Sequence, residues 1–364
     1  MLLIRLTKQL MLLFLVSFLV VTFKVVTMAS AVEEKVVDLE NDTFYDTGSV
    51  NVDGSVLRCW KAGGHGHQTF MQVLQNSCNP GFVKIGQLLG KERLFSYLDK
   101  FGFGTKTGID LNGEAQGIVF DLNRVGNVEL ATTAFGQGVS VTPIQQAVAV
   151  SAVVNGGYLN KPYIVKSISE SGTNTIIEEK NTTVVRQVIS SETSATMRKA
   201  LESVVALGGG KSAYIEGYRI GGKTGTAQKV QDGKYLVGNY IMSFMAVVPS
   251  NDPEAVLYLA IDNPKNTALL SSYTTTPIAR RILLDIIDAL DIEKQSGGMA
   301  KDLEWTDKIT YKVPNVKGKT VKEAKKLLPH FTIEYSGTGD TVVEQTPAAG
   351  EKLEENGTIR LLLK

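Results

Sequence analysis

The chain has 364 residues, with 38 Lys and Arg against 37 Asp and Glu. It is long enough for one large domain plus a small one, and the near-neutral balance gives no reason to expect nucleic acid as a partner. Hydrophobic residues make up 43% of it, which supports an ordered core rather than disorder, while two cysteines and three histidines argue against a structural zinc site.

Arg5 and Lys8 precede an apolar run from Leu10, the shape of a signal or signal-anchor segment over residues 1–21. The run to Phe23 falls short of the roughly 20 residues a membrane span needs, and reaches that length only by continuing past Lys24 to Met28. Asp38–Asp53 alternates polar and turn residues and reads as a loop with short strands. Cys59-Trp60-Lys61-Ala62-Gly63-Gly64-His65-Gly66-His67 is Gly-rich and reads as flexible. His65 and His67 stand two apart without carboxylate or cysteine partners nearby, so the reading here is a surface loop with a helix-entry histidine and no metal.

Thr69–Gln75 reads as a helix that delivers Ser77 and Asn79, within Asn76-Ser77-Cys78-Asn79-Pro80. Phe82 to Phe101 has a helical pattern that puts Leu88, Leu89, Phe95 and Leu98 on an inner face. Asn127–Gly136 and Thr142–Val154 are two more apolar stretches, the second opened by Thr142 as cap and Pro143 at the first position. Gly156–Ser190 holds two polar-rich strand candidates in a hairpin around Glu170–Asn174. A helix is expected over Ser191–Val205, stopped by Gly208-Gly209-Gly210.

The strand-like Tyr218-Arg219-Ile220 leads into Gly221-Gly222-Lys223-Thr224-Gly225-Thr226-Ala227-Gln228. Lys223 brings positive charge to a cleft, Thr224 and Thr226 offer hydroxyls to a substrate carboxylate, and Gly225 leaves room for a ligand backbone. Two apolar strands follow, Ile241–Pro249 and Ala255–Asp262, joined by a turn at Asn251-Asp252-Pro253. A helix over Thr276–Leu290, with Ile278, Ile282, Ile286 and Leu290 at helical spacing, closes the domain. The expected organisation is residues 1–21 as a leading hydrophobic segment, 22–292 as the main domain, 293–309 as a polar linker and 310–364 as a small domain. In that last piece Thr320-Val321-Lys322-Glu323 is a capping box, so a helix is expected there on physics alone.

The Ser77-Cys78-Asn79 element, the run from Phe135 to Gln146 and Lys223-Thr224-Gly225 resemble, in order and spacing, the transpeptidase domain of class B penicillin-binding proteins. Cys59, Cys78 and a single trailing repeat domain are most similar to the sporulation branch of that family, and residues 310–364 resemble a PASTA domain. The resemblance implies an α/β (α+β) fold like that of serine β-lactamases: an antiparallel sheet flanked by helices, incomplete at its N-terminus, plus the small α+β PASTA domain. It implies no cofactor. One motif departs from the family: where relatives carry Ser-Thr-Phe-Lys, this chain has Val21-Thr22-Phe23-Lys24, and no serine anywhere has a lysine three positions on. By resemblance Lys24 would be the base, Ser77 a proton relay and Asn79 the anchor of the substrate amide. Lys223 would hold the Ser77 hydroxyl, Thr224 and Thr226 would receive the terminal carboxylate, and Gly225 would let the substrate backbone lie against the strand. Oxyanion donors would be the backbone N–H groups at positions 21 and 226.

With valine at the nucleophile position, the implied D,D-transpeptidase cannot form its acyl-enzyme. The readings that stay open are an enzyme by descent, a non-catalytic binder of peptidoglycan or partner proteins, and a truncated or frame-shifted remnant. Implied partners are peptidoglycan stem peptides and β-lactams held non-covalently, divisome or sporulation proteins, and a thiol–disulfide oxidoreductase acting on Cys59 and Cys78 as a redox pair. The implied location is the extracytoplasmic face of the cell membrane, on a single N-terminal anchor. For the PASTA-like module, a rigid spacer and a cell-wall binder are equal readings.

Overall fold

The computed structural model describes residues 21–364 except 174, 232–233, 265–270, 302–309 and 355–356. The chain divides into two compact units between residues 302 and 303. The expectations for residues 1–20 and for the C-terminal half of the linker, 302–309, lie outside the described residues.

The larger unit is built around a buried helix. A 3-10 turn, Val21–Phe23, runs directly into α1 (Lys24–Glu33), whose Val25, Val26, Met28, Ala29 and Ala31 are fully buried together with the polar Lys24, Thr27 and Ser30. Phe23, at its N-cap, supplies no side-chain hydrogen bond, and Val25-Val26-Thr27 is a β-branched run of modest helix propensity. Burial on all sides therefore holds the helix, each large apolar side chain contributing about 1.5–3 kcal/mol. Next come β1 (Thr43–Asp46), β2 (Ser49–Val52), β3 (Ser55–Arg58) and β4 (Gly66–Thr69). β1 pairs antiparallel with β4, setting Asp46 opposite Gly66, while β2 and β3 form their own hairpin.

Thr69 caps α2 (Phe70–Gln75) through a reciprocal capping box with Gln72. The single helix expected from Phe82 to Phe101 is two, α3 (Asn79–Leu89) and α4 (Lys91–Lys100), broken at Gly90, whose φ of +75° ends the first. Leu88 does not face inward: the buried face of α3 is Phe82, Ile85, Gly86 and Leu89, and Leu88, falling off that spacing, is 38% exposed. α5 (Asn127–Ala134) and α6 (Pro143–Val154) follow, the latter capped by Thr142 as expected. The region read as one hairpin holds four short strands, β5 (Tyr158–Lys161), β6 (Ser167–Ser169), β7 (Ile176–Glu179) and β8 (Thr183–Gln187), paired as β5–β8 and β6–β7. α7 (Ser191–Ala206) is capped by Ser190.

The central sheet has the order β11-β10-β9, all antiparallel, from β9 (Gly221–Gln231), β10 (Lys234–Val248) and β11 (Ala255–Asp262). Tyr218-Arg219-Ile220 precedes the strand rather than joining it. α8 (Ser271–Ala289) covers the sheet with Ala279, Leu283, Ile286 and Ile287, against Phe244, Ala246 and Val248. It starts five residues before Thr276, and Ile278 lies off the buried face, 42% exposed. Residues 295–299, read as part of a linker, hold to this unit: Gln295 N–H donates to Gly217 O at 2.8 Å and Met299 N–H to Glu202 Oε1 at 3.0 Å.

The smaller unit contains β12 (Thr310–Lys312), α9 (Val321–Leu327), β13 (Thr332–Gly337), β14 (Val342–Thr346), β15 (Lys352–Glu354) and β16 (Thr358–Leu363). β16 sits between β13, parallel to it, and β14, antiparallel, and β12 pairs with β15. The Thr320–Glu323 capping box starts α9 as the sequence requires.

Candidate active site

Lys24 lies at the start of α1, 1% exposed, and its ammonium is fully used. It donates to Ser77 O at 2.9 Å, Ser77 Oγ at 3.0 Å and Asn79 Oδ1 at 2.7 Å, which exhausts its three donors. The Phe82 ring stands 5.3 Å from Nζ. Burial pulls this lysine from 10.5 down to about 7, with the nearby Cys78 and Cys59 opposing the shift. Ser77 takes a φ of +54°, a left-handed conformation costly for a non-glycine residue. The turn is fixed by Ser77 N–H and Cys78 N–H donating back to Leu74 O and Val73 O, and Cys78 then caps α3. Asn79 Nδ2 donates to Arg58 O at 3.1 Å, so the residue spans from the base to the end of β3.

Lys223, Thr224, Gly225 and Thr226 lie on β9, the edge strand of the central sheet. Lys223 is fully buried, and its ammonium bonds the Thr224 carbonyl at 3.0 Å and hydroxyl at 3.4 Å; Ser77 Oγ is held by Lys24. Burial, and then the charge of Lys24, push Lys223 well below its ordinary value, so the pair does not carry two protons comfortably. A side chain at Gly225 would meet Ser243 Oγ at 2.5 Å and Thr22 N at 3.0 Å. The space that glycine leaves is thus occupied by the turn preceding Lys24, rather than being kept for a ligand. Thr226 Oγ1 shares a 2.6 Å hydrogen bond with Ser271 Oγ. The sequence reading missed Ser271; the hydroxyl-rich run Ser271-Ser272-Tyr273-Thr274-Thr275-Thr276 was the available signal.

The Phe135–Gln146 run serves as scaffold. Phe135, Val139 and Val141 are buried, and Gln145 Nε2 donates to Thr105 O at 2.6 Å and Gln116 O at 2.8 Å, tying a long loop to α6.

His65 departs from the expected surface loop. Its side chain is 2% exposed, its Nδ1 lies 2.9 Å from Asp46 Oδ2 and 3.3 Å from Cys59 Sγ, and Cys78 Sγ lies 3.2 Å from the same carboxylate oxygen. The carboxylate and thiol partners that seemed missing come from β1, the end of β3 and the cap of α3, which strand pairing brings together. His67 stays exposed on β4. Both cysteines are free thiols and buried.

A buried ammonium holds the Ser77–Asn79 turn, and Lys223-Thr224-Gly225 lies on an edge strand of the same unit. The penicillin binding protein transpeptidase domain matches residues 22–284 and the PASTA domain residues 311–364. The chain belongs to the penicillin-binding-protein transpeptidase family. It is 53% identical over 342 residues to Stage V sporulation protein D of Bacillus subtilis strain 168, covering 94% of this chain and 53% of that protein. Penicillin-binding protein PbpB of Mycolicibacterium smegmatis is 34% identical over 256 residues, covering 67% of this chain and 39% of that protein. Among solved structures, penicillin-binding protein 3 of Mycobacterium tuberculosis complexed with aztreonam is similar with a TM-score of 0.70 at 26% identity, over 79% of this chain and 66% of that one. The chain spans about half, or less, of the length of these curated relatives.

Proposed function

We propose that this chain presents a peptidoglycan stem-peptide cleft of the D,D-transpeptidase type that binds its ligand without acylation. The observation that carries the reading is the intact set of bonds from Lys24 to Ser77 and Asn79 at 2.7–3.0 Å, beside a valine at position 21 where an attacking hydroxyl belongs. Valine keeps a backbone N–H for an oxyanion but has no oxygen to attack a carbonyl. Loss of the nucleophile in a comparable serine triad costs about 10⁶ in turnover, leaving only binding and oxyanion contacts. Thr224 and Thr226 receive the terminal carboxylate of a stem peptide or β-lactam, Lys223 supplies positive charge behind them, and Asn79 orients the substrate amide. The setting this reading fits is cell-wall or spore-cortex synthesis on the extracytoplasmic face of the membrane, alongside divisome or sporulation proteins. No helix among the described residues is long and apolar enough to cross a membrane.

The test is labelling with a fluorescent penicillin followed by denaturing electrophoresis. The natural chain is expected to give no covalent band, and Val21→Ser is expected to give one. A denaturation-stable band from the natural chain would end the proposal. The same reading makes Cys59 and Cys78 a redox pair. In closing their disulfide, two electrons and two protons pass to the disulfide of a thiol–disulfide oxidoreductase, and the closed bond displaces Ser77 or Asn79. Thiol titration of the exported protein that finds both sulfurs free would overturn this part.

A further inference from the structure

Four side chains of different donor chemistry meet beneath the Ser77–Asn79 turn: the carboxylate of Asp46, the imidazole of His65 and the sulfurs of Cys59 and Cys78. One ligand atom from each lies within 4.8 Å of all the others, and every residue but His65 is buried outright, with the His65 side chain itself 2% exposed. We propose that these four residues form a closed, structural site for a thiophilic divalent cation, with zinc the best match, that fixes the turn carrying Ser77 and Asn79. The inference stands on this cluster alone and does not depend on whether the neighbouring cleft is catalytic.

His65 Nδ1 faces both Asp46 Oδ2 at 2.9 Å and Cys59 Sγ at 3.3 Å, and Cys78 has a single S–H. These contacts turn all four donors toward one place, where a single cation can take an electron pair from each. Tetrahedral zinc, with bonds of about 2.0–2.3 Å, needs donor atoms about 3.3–3.8 Å apart. The separations of 2.9 Å (His65–Asp46), 3.2 Å (Cys78–Asp46) and 3.3 Å (Cys59–His65) need only a slight expansion to reach that range.

A shell of backbone N–H groups stands behind the donors. Gly48 N–H donates to Asp46 Oδ1 at 2.8 Å and His65 N–H to Asp46 Oδ2 at 3.0 Å, while Gly81 N–H approaches Cys78 Sγ at 3.4 Å. These bonds orient the carboxylate and one sulfur, as outer partners of metal ligands do. The loop reaches this position only because Gly64, at φ +76°, lacks a Cβ that would stand 2.4 Å from Asp46 O. Two sulfurs, one nitrogen and one oxygen suit zinc; thiolates disfavour magnesium and calcium, which take oxygen ligands. Four protein donors leave no open position, which makes the site structural rather than catalytic.

The consequence falls on the neighbouring cleft. Cys78 lies between Ser77 and Asn79, both bonded to Lys24, so a cation on its sulfur anchors the strained turn from below. A Cys59–Cys78 disulfide takes both sulfurs and is incompatible with the bound cation.

The experiment uses the natural chain, purified under a non-thiol reductant, stripped with chelator and reloaded with Zn²⁺ or Co²⁺. About one zinc per chain is expected by elemental analysis, and cobalt is expected to give thiolate charge-transfer absorption with the intense visible bands of a tetrahedral site. Zinc should also protect Cys59 and Cys78 from alkylation, read by mass spectrometry on the natural chain, so the test survives variants that fail to fold. His65→Ala and Cys59→Ser should lose both uptake and the cobalt spectrum. Reloaded natural protein that holds less than about a tenth of an equivalent, or whose thiols alkylate equally fast with and without zinc, overturns the proposal. So does full uptake by Cys59→Ser and His65→Ala.

Discussion

A lysine sealed from solvent favours losing its proton, and Lys24 shows how the surrounding residues moderate that tendency. Burial is the main cause of its fall from 10.5 to about 7, and Cys78 and Cys59 oppose it. The unfolded chain keeps Lys24 protonated up to 10.5 while the folded chain releases the proton near 7, so between those values the unfolded state binds more protons. Stability therefore rises with pH across that window by up to about 1.4 kcal/mol per unit from this residue, and the full penalty is present below it. Replacing Lys24 by Met should flatten that slope in denaturant titrations at a series of pH values; an unchanged slope would show that another group sets it. The same proton matters to chemistry. If Val21→Ser restores acylation by penicillin, its rate should rise as pH passes about 7, where Lys24 becomes a free base. At this scale the Lys24, Ser77 and Asn79 grouping was legible, because each member stands in a short recognisable motif even though Lys24 and Ser77 lie 53 residues apart. The Asp46–His65 contact was not, since no motif marks its members and they meet through the pairing of β1 with β4.

Helices α3 and α8 illustrate why the elements were easier to locate than their faces. The spacing of apolar residues reported helix through residues 82–101, yet it could not register that Gly90 breaks the run and that α3 begins at Asn79. That early start changes which side of the helix meets the core. The difference can be measured. Ile85→Ala empties a fully buried position and should cost about 2–5 kcal/mol, whereas Leu88→Ala, at a site 38% exposed, should cost far less. Equal losses in chemical denaturation would restore the original inner face. Likewise α8 was found in the right place but five residues short, because Ser271–Thr275 reads as a polar turn and becomes helical only by packing its hydroxyls against β9, through Ser271 to Thr226.

At the level of the whole molecule, the two compact units differ in how they reach a core. The larger one closes on α1, a helix whose sequence has little intrinsic preference for its own conformation, so its stability depends on long-range packing. The smaller unit draws on residues close in sequence. Val313, Val316, Ala324, Leu328, Val342, Ile359 and Leu361 form its core, and among the described residues its strands pair within 310–364. Residues 310–364 should accordingly fold when expressed alone and give a dispersed amide spectrum; a collapsed, disordered spectrum would refute this. So small a core leaves little margin, and one buried polar side chain carries an unusual share. Gln345, 5% exposed, accepts from Val316 N–H at 2.8 Å and donates to Pro314 O at 3.0 Å and Pro347 O at 3.3 Å. It joins the entry segment to β14 and the turn beyond. Gln345→Ala strands those backbone groups away from water, at about 1–3 kcal/mol for each group left unsatisfied. The isolated unit carrying it should melt well below its natural counterpart, and an unchanged melting temperature would show that solvent reaches Gln345's partners.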